Sequence, residues 1–222
     1  MSVADFFGRA AEVVESVGGH FTVNNRPNEM ESPTRFEADV APRPYDRDAE
    51  EQFHRAIISI DQVFELFRSG FIGKASPTHL FWGSFDLAVT RFSGRSAPLH
   101  PGGVLNLPDW VSREAYSHDV SSAGFWPGGS GVNEPMFYSY AYPAADGFRH
   151  GSVEPAEARF NAKLGEFLLP YEAVRTNPDP GGTLMRFLQS TYVAAATTGA
   201  WDRKRLECPT GRPGVPRQVS DA

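Results

Sequence analysis

The sequence predicts an α+β protein, an antiparallel sheet of about four or five strands with helices covering one face. Three observations carry that expectation. Residues 79–92 read as a long strand, dense in large apolar and aromatic side chains. Residues 48–69 and 179–198 place apolar side chains at helical spacing. Residues 135–142 form a further strand behind a glycine-rich stretch, which suggests an antiparallel pair. The 222 residues suit one domain over 1–207, followed by a proline- and glycine-rich tail over 208–222 that is expected to be disordered.

Taken in order, the chain opens on an amphipathic helix over 2–17. Val3, Phe6, Phe7, Ala10, Val14 and Val17 make one stripe, Ser2 is placed to cap it with Asp5, and Gly18-Gly19 stops it. That stripe needs a partner. The next four residues, 20–23, are expected to form a short strand, and 24–44 a long loop. In the following helix Phe53, Ile57, Ile60, Phe64, Phe67 and Phe71 step along one side. Asp46 or Asp48 caps that helix and Gly70 ends it. So short a stripe packs on a sheet rather than forming a coiled coil.

In the strand-like run, period two places His79, Phe81, Gly83, Phe85, Leu87, Val89 and Arg91 on a core face. The other face carries Leu80, Trp82, Ser84, Asp86, Ala88, Thr90 and Phe92, a carboxylate set among an indole and hydroxyls. A second loop follows over 93–110. Residues 113–122 alternate weakly as a strand, and 123–131 are expected to turn. The strand over 135–142 then aligns Tyr138, Tyr140 and Tyr142. Residues 154–164 read as a helix, 167–171 as a short edge strand ended by proline, and 179–198 as the last helix. That last helix buries Leu184, Phe187, Leu188, Tyr192 and Ala195, and Gly199 closes it.

Composition narrows the function. Hydrophobic residues make up 41% of the chain and aromatic residues 13%, with 17 Phe against four Met, enough for a core of rigid side chains or a lined pocket. A net charge of −6 argues against nucleic acid as a partner, which would need clustered Lys and Arg. The one cysteine, Cys208, excludes an internal disulfide and a cysteine-based zinc site, and its place before the tail reads as a flexible, inert thiol. No apolar run approaches the ~20 residues that span a bilayer, and no signal peptide is visible. A soluble, cytoplasmic protein with no membrane partner is the expectation.

Several runs carry a resemblance. They are Phe71-Ile-Gly-Lys-Ala-Ser-Pro77, the whole of 79–95, Arg113-Glu-Ala-Tyr-Ser-His118, Ser121-Ser-Ala-Gly-Phe-Trp-Pro-Gly128, Phe137-Tyr-Ser-Tyr-Ala-Tyr-Pro143 and Gly165-Glu-Phe-Leu-Leu-Pro-Tyr171. In this order they resemble a bacterial family named as domain of unknown function 5996, over roughly residues 3–207. The resemblance implies no activity. It does imply that relatives carry a further N-terminal segment, rich in Trp, His and strand pattern. The chain resembles a member shortened by that segment, which leaves the completeness of the sheet and of any site open.

Standard catalytic signatures are absent: no His-Glu-x-x-His, no Gly-x-Ser-x-Gly and no phosphate-binding loop. No motif names a cofactor, and oligomeric state is not legible. Gly128-Gly-Ser-Gly131 offers amides to an anion, or simply turns the chain. Glu114, Tyr116 and His118 share a face if their segment is a strand; if it is helical, Glu114 and His118 stand at i, i+4. Strand neighbours four residues apart are ~13 Å apart and cannot chelate one ion, so a metal at His118 would need His79 or Asp86 as well. His118 suits a general base, or else bonds a backbone carbonyl. Asp86 in a strand interior needs a partner, such as Arg91 or Arg95, or a role. The candidate polar groups are therefore Asp86, Glu114 and His118. Trp82, Ser84, Trp126, Tyr138 and Tyr140 are the candidate walls of a small-molecule pocket, which would support acid–base catalysis or binding. The alternative is an interaction or scaffold protein in which those aromatics are core.

Overall fold

The computed structural model describes residues 1–28, 30, 32–129, 132, 134–211 and 214–216. Its centre is a six-stranded, wholly antiparallel sheet in the order β1-β2-β3-β4-β6-β5. The strands are β1 (His79–Phe81), β2 (Asp86–Ser96), β3 (His118–Trp126), β4 (Met136–Tyr142), β5 (Arg159–Asn161) and β6 (Glu166–Pro170). The architecture is the expected α+β class, with one strand more than the upper expectation.

Two long helices lie against one face of the sheet: α2 (Arg47–Ser69) and α5 (Pro180–Thr198). The other helices are α1 (Val3–Ser16), α3 (Asp109–Ala115), α4 (Tyr171–Arg175) and α6 (Arg203–Leu206). Asp46 caps α2 through the Ala49 amide at 3.0 Å, and the expected stripe delivers Ile60, Phe64 and Phe67 to the core. Asp179 caps α5 through Gly182, and Leu184, Phe187, Leu188, Tyr192 and Ala195 are all buried. From the sheet these helices meet Leu87, Val89, Ala123, Phe125, Phe137, Phe167 and Leu169. Each large apolar side chain so buried contributes about 1.5–3 kcal/mol.

The α1 helix has the expected capping box between Ser2 and Asp5, yet none of its residues is buried. Its stripe is met by loop residues: Phe7 lies 5.4 Å from the Phe21 ring and 5.6 Å from Phe36. Residues 20–23 accordingly form no strand, because Phe21 is engaged with α1 and the segment lies beside no sheet edge.

The run over 79–92 is a hairpin and not one strand. Residues 82–85 turn the chain, with Phe85 at φ 59° and its amide donating to the Phe81 carbonyl at 2.7 Å. A positive φ at phenylalanine is strained, and here its ring is held by stacking on Phe53 of α2, 5.7 Å away. An even-numbered turn reverses the facing of one arm. Leu80 therefore joins Leu87 towards the core, whereas Phe81 stands opposite Asp86 on the other face. From Asp86 onward the expected alternation holds.

Four further expectations are corrected. The second loop is shorter than 93–110, since β2 runs on to Ser96 and α3 starts at Asp109. The segment 113–122 divides between α3 and β3, whose pairing continues to Trp126 before the chain turns. Residues 154–164 are not a helix: the Asn161 side chain accepts from the Lys163 and Leu164 amides, and Gly165 takes φ 76° to close the β5–β6 turn. Asparagine favours such local bonds over a helix interior. Finally, β6 is internal, paired to β4 on one side and β5 on the other. Of the expected tail, Cys208 is tied down: its amide donates to Gly70 and its thiol to Ser69. Residues 212, 213 and 217–222 lie outside the described residues, as do Ser130 and Gly131 of the anion-binding candidate. No helix among the described residues is long and apolar enough to cross a membrane.

Candidate functional site

The face of the sheet turned away from α2 and α5 is polar and aromatic. Strand register puts Ala88, Gly124, Tyr138 and Leu168 in one row across it, and Thr90, Ser122 and Tyr140 in the next. Gly124 is the permissive position. A Cβ there would collide with the Tyr138 ring and hydroxyl, so only glycine lets that ring lie across β3. The Tyr138 hydroxyl thereby reaches β2 and donates to Asp86, whose other oxygen accepts from Ser84. Asp86 is only 6% exposed, and these two hydroxyls partner it inside the sheet.

Glu166, on β6, belongs to the same face, one position from the Ser139–Phe167 pair and so beside Tyr140. Its burial, and secondarily the charge on Asp86, raise the carboxyl from its ordinary 4.5 to about 7. Tyr138 and Tyr140 are both pushed well above the usual phenol range, chiefly by burial and then by Asp86 and Tyr116 respectively. Their rings stack 6.1 Å apart at 16°. Among the described residues no ion pair joins Asp86 or Glu166 to a cation.

A side wall rises from the segment between β2 and β3. The Tyr116 and Tyr140 hydroxyls lie 2.8 Å apart, His100 stacks on Tyr116 at 4.7 Å, and Tyr142 donates to the Pro98 carbonyl at 3.1 Å. Beside it, Thr90 and Ser122 hydroxyls bond across β2 and β3 at 2.8 Å.

The residues singled out in the sequence are only partly brought together. Asp86, Ser84, Tyr138 and Tyr140 converge, and Trp126 ends β3 on the same face, opposite Asp86. Trp82 stands at the hairpin tip, 82% exposed. His118 begins β3, eight residues before Trp126, which separates it from Asp86 by about 26 Å along the strand. Glu114 is exposed on α3 and does not share an element with His118. Neither expected partner of Asp86 reaches it: Arg95 pairs with Asp119 at 2.7 Å, and Arg91 points into the core. Among the described residues no group of three His, Cys, Asp or Glu side chains is placed to hold a metal ion.

Glu166 and Gly124 were not singled out from the sequence. Both carry a legible signal: a glycine inside a strand marks a close approach, and the alternation of 166–169 sets Glu166 opposite the apolar Phe167 and Leu169. The pH dependence of stability follows from Glu166. Its folded-state pKa lies above the unfolded value, so the folded protein holds the proton longer and loses stability as pH rises from about 4.5 to 7. Glu166→Gln is expected to match the parent near pH 4.5 and to exceed it by about 2 kcal/mol at pH 8, after allowance for partial exposure. Urea unfolding at the two pH values checks this.

Fold and site together define a helix-backed antiparallel sheet protein with a carboxyl–tyrosine cluster on its helix-free face. The chain belongs to the Family of unknown function (DUF5996), whose family model matches residues 1–208. Comparison with curated proteins and with solved structures gives no match.

Proposed function

We propose that the helix-free face binds a small organic cation, an amine with a flat or compact apolar body. The observation that carries this reading is that Asp86 and Glu166 lie on one face of the sheet beside stacked tyrosine rings, neither in an ion pair with a cation among the described residues. A buried or half-buried carboxyl is costly unless something compensates it. Carboxylates and aromatic faces both attract an ammonium group, the latter by about 0.5–2 kcal/mol. Glu166 and the Tyr138 and Tyr140 rings are the contacts, while Asp86 acts from beneath through Tyr138. With a carboxyl that titrates near neutrality, Glu166 also gives the site a group able to exchange a proton with the bound molecule.

The test is thermal unfolding with choline, tyramine and agmatine at pH 8 and pH 5. At least one is expected to stabilise the protein, by about 2.7 kcal/mol at a hundredfold excess over Kd. The gain should be smaller at pH 5, where Glu166 is neutral, and lost in Glu166→Gln. Stabilisation by none of the three, or equal stabilisation of the variant, would favour a purely structural cluster.

A further inference from the structure

A cleft of about 420 Å³ opens on the opposite side of the molecule, between α2, α4 and α5. We infer that it is a second ligand site, for a molecule with an apolar body and one anionic head, such as a medium-chain carboxylate. Its volume falls within the roughly 300–1,000 Å³ of small-molecule sites. The floor is apolar, supplied by Ile60, Val63, Tyr171 and Leu184. At the rim stand Arg55 and Arg175, and no acidic residue among the described residues lines the cleft.

The two arginines are not equivalent. Arg175 is held by Glu172 through bonds of 2.6 and 2.9 Å, so much of its charge is already answered. Arg55 has no ion pair among the described residues, and it supplies the charge for the anionic head. The N-terminus of α5 is not needed for this role, because Asp179 already caps it.

Gly181 supports the same conclusion. It sits in the first turn of α5, and glycine is a poorer helix former than alanine. Its backbone has no positive φ, and a Cβ built there would meet only Val63, at an ordinary 3.9 Å. Neither conformation nor packing requires glycine at this position. Its effect is to leave the cleft unfilled.

The test titrates decanoate, and its neutral twin decanol, into the full chain by calorimetry. Decanoate is expected to bind with one-to-one stoichiometry, and decanol about tenfold or more weakly, the worth of one charge-assisted hydrogen bond. Arg55→Gln should bring decanoate down to the affinity of decanol. Gly181→Phe should abolish binding of both; Gly181→Leu serves if circular dichroism shows that the phenylalanine variant is misfolded. No binding of decanoate, equal binding of the two probes, or retained binding in a folded, filled variant overturns the inference. Asp86→Asn should leave decanoate binding unchanged, so this site and the carboxyl–tyrosine face stand or fall separately.

Discussion

Gly124→Val is expected to destabilise the protein by about 3 kcal/mol. The added side chain must displace the Tyr138 ring, which the glycine lets lie across β3. Overpacking of this kind typically costs about 1–3 kcal/mol. Moving Tyr138 also removes one of the two hydroxyls that donate to the buried Asp86 carboxylate, a further loss of about 1–3 kcal/mol. Part of the strain relaxes by rotation of the ring, which holds the sum in the lower half of the range. Urea unfolding checks the value. Tyr138→Leu in the same chain should cancel much of the effect, since the clash is with that ring; a double-mutant cycle isolates the coupling. A Gly124→Val protein as stable as the parent would show that Tyr138 need not cross β3.

Arg91→Ala is expected to cost about 3 kcal/mol, whereas Arg91→Met should fall within about 1 kcal/mol of the parent. The guanidinium is buried at 1% exposure, 3.4 Å over the Phe67 ring and 4.3 Å over Tyr192, and donates to the Phe67 carbonyl. Among the described residues its Nε and Nη1 have no hydrogen-bond partner. Burial lowers its pKa from 12.5 to about 10, equivalent to about 3 kcal/mol against the charged form. Because both folded and unfolded states are protonated at neutral pH, that penalty is constant there. The ring contacts, worth about 2 kcal/mol, and the bond to Phe67, about 1.5–3 kcal/mol, offset it. Methionine keeps the volume and drops both sides of the balance. Alanine drops them too, but leaves a cavity among the rings of Phe67, Phe71 and Tyr192, and the cavity decides the sign. Thermal unfolding of the two variants distinguishes them.

Much of the fold was legible because it is written in local periodicity. The stripes of α2 and α5, the caps at Ser2 and Asp46, and the tyrosine alternation of β4 each depend on residues close in sequence. The failures were of two kinds. Where a turn hides inside an apolar run, as at Trp82-Gly-Ser-Phe85, pattern reads through it, because a phenylalanine at positive φ is held by a ring from α2 that sequence order does not reveal. Where polar residues dominate, as in 154–164, helical propensity lost to the side-chain bonds of Asn161.

The candidate site divides in the same way. Asp86 and Tyr138 stood out because a carboxylate and a tyrosine row inside strands are conspicuous. Their meeting was not visible, since it depends on which glycine of β3 falls between them in the register. Glu114 and His118 were joined by sequence proximity alone, and the helix-to-strand junction at Tyr116 parts them. Local alternation gives the face on which Glu166 stands, but its place beside Tyr140 comes from the β4–β6 pairing, which no local pattern encodes.

The central claim is that burial and the charge on Asp86 together raise the Glu166 carboxyl on a face where neither group meets a cation in an ion pair among the described residues. A ¹³C-carboxyl NMR titration of Glu166, in the parent and in Asp86→Asn, tests it most directly. The account predicts a midpoint near 7 in the parent. In Asp86→Asn the midpoint should move down, yet stay above the ordinary range, because burial is the larger cause. A parent midpoint at the ordinary 4.5, or no movement in Asp86→Asn, would contradict it.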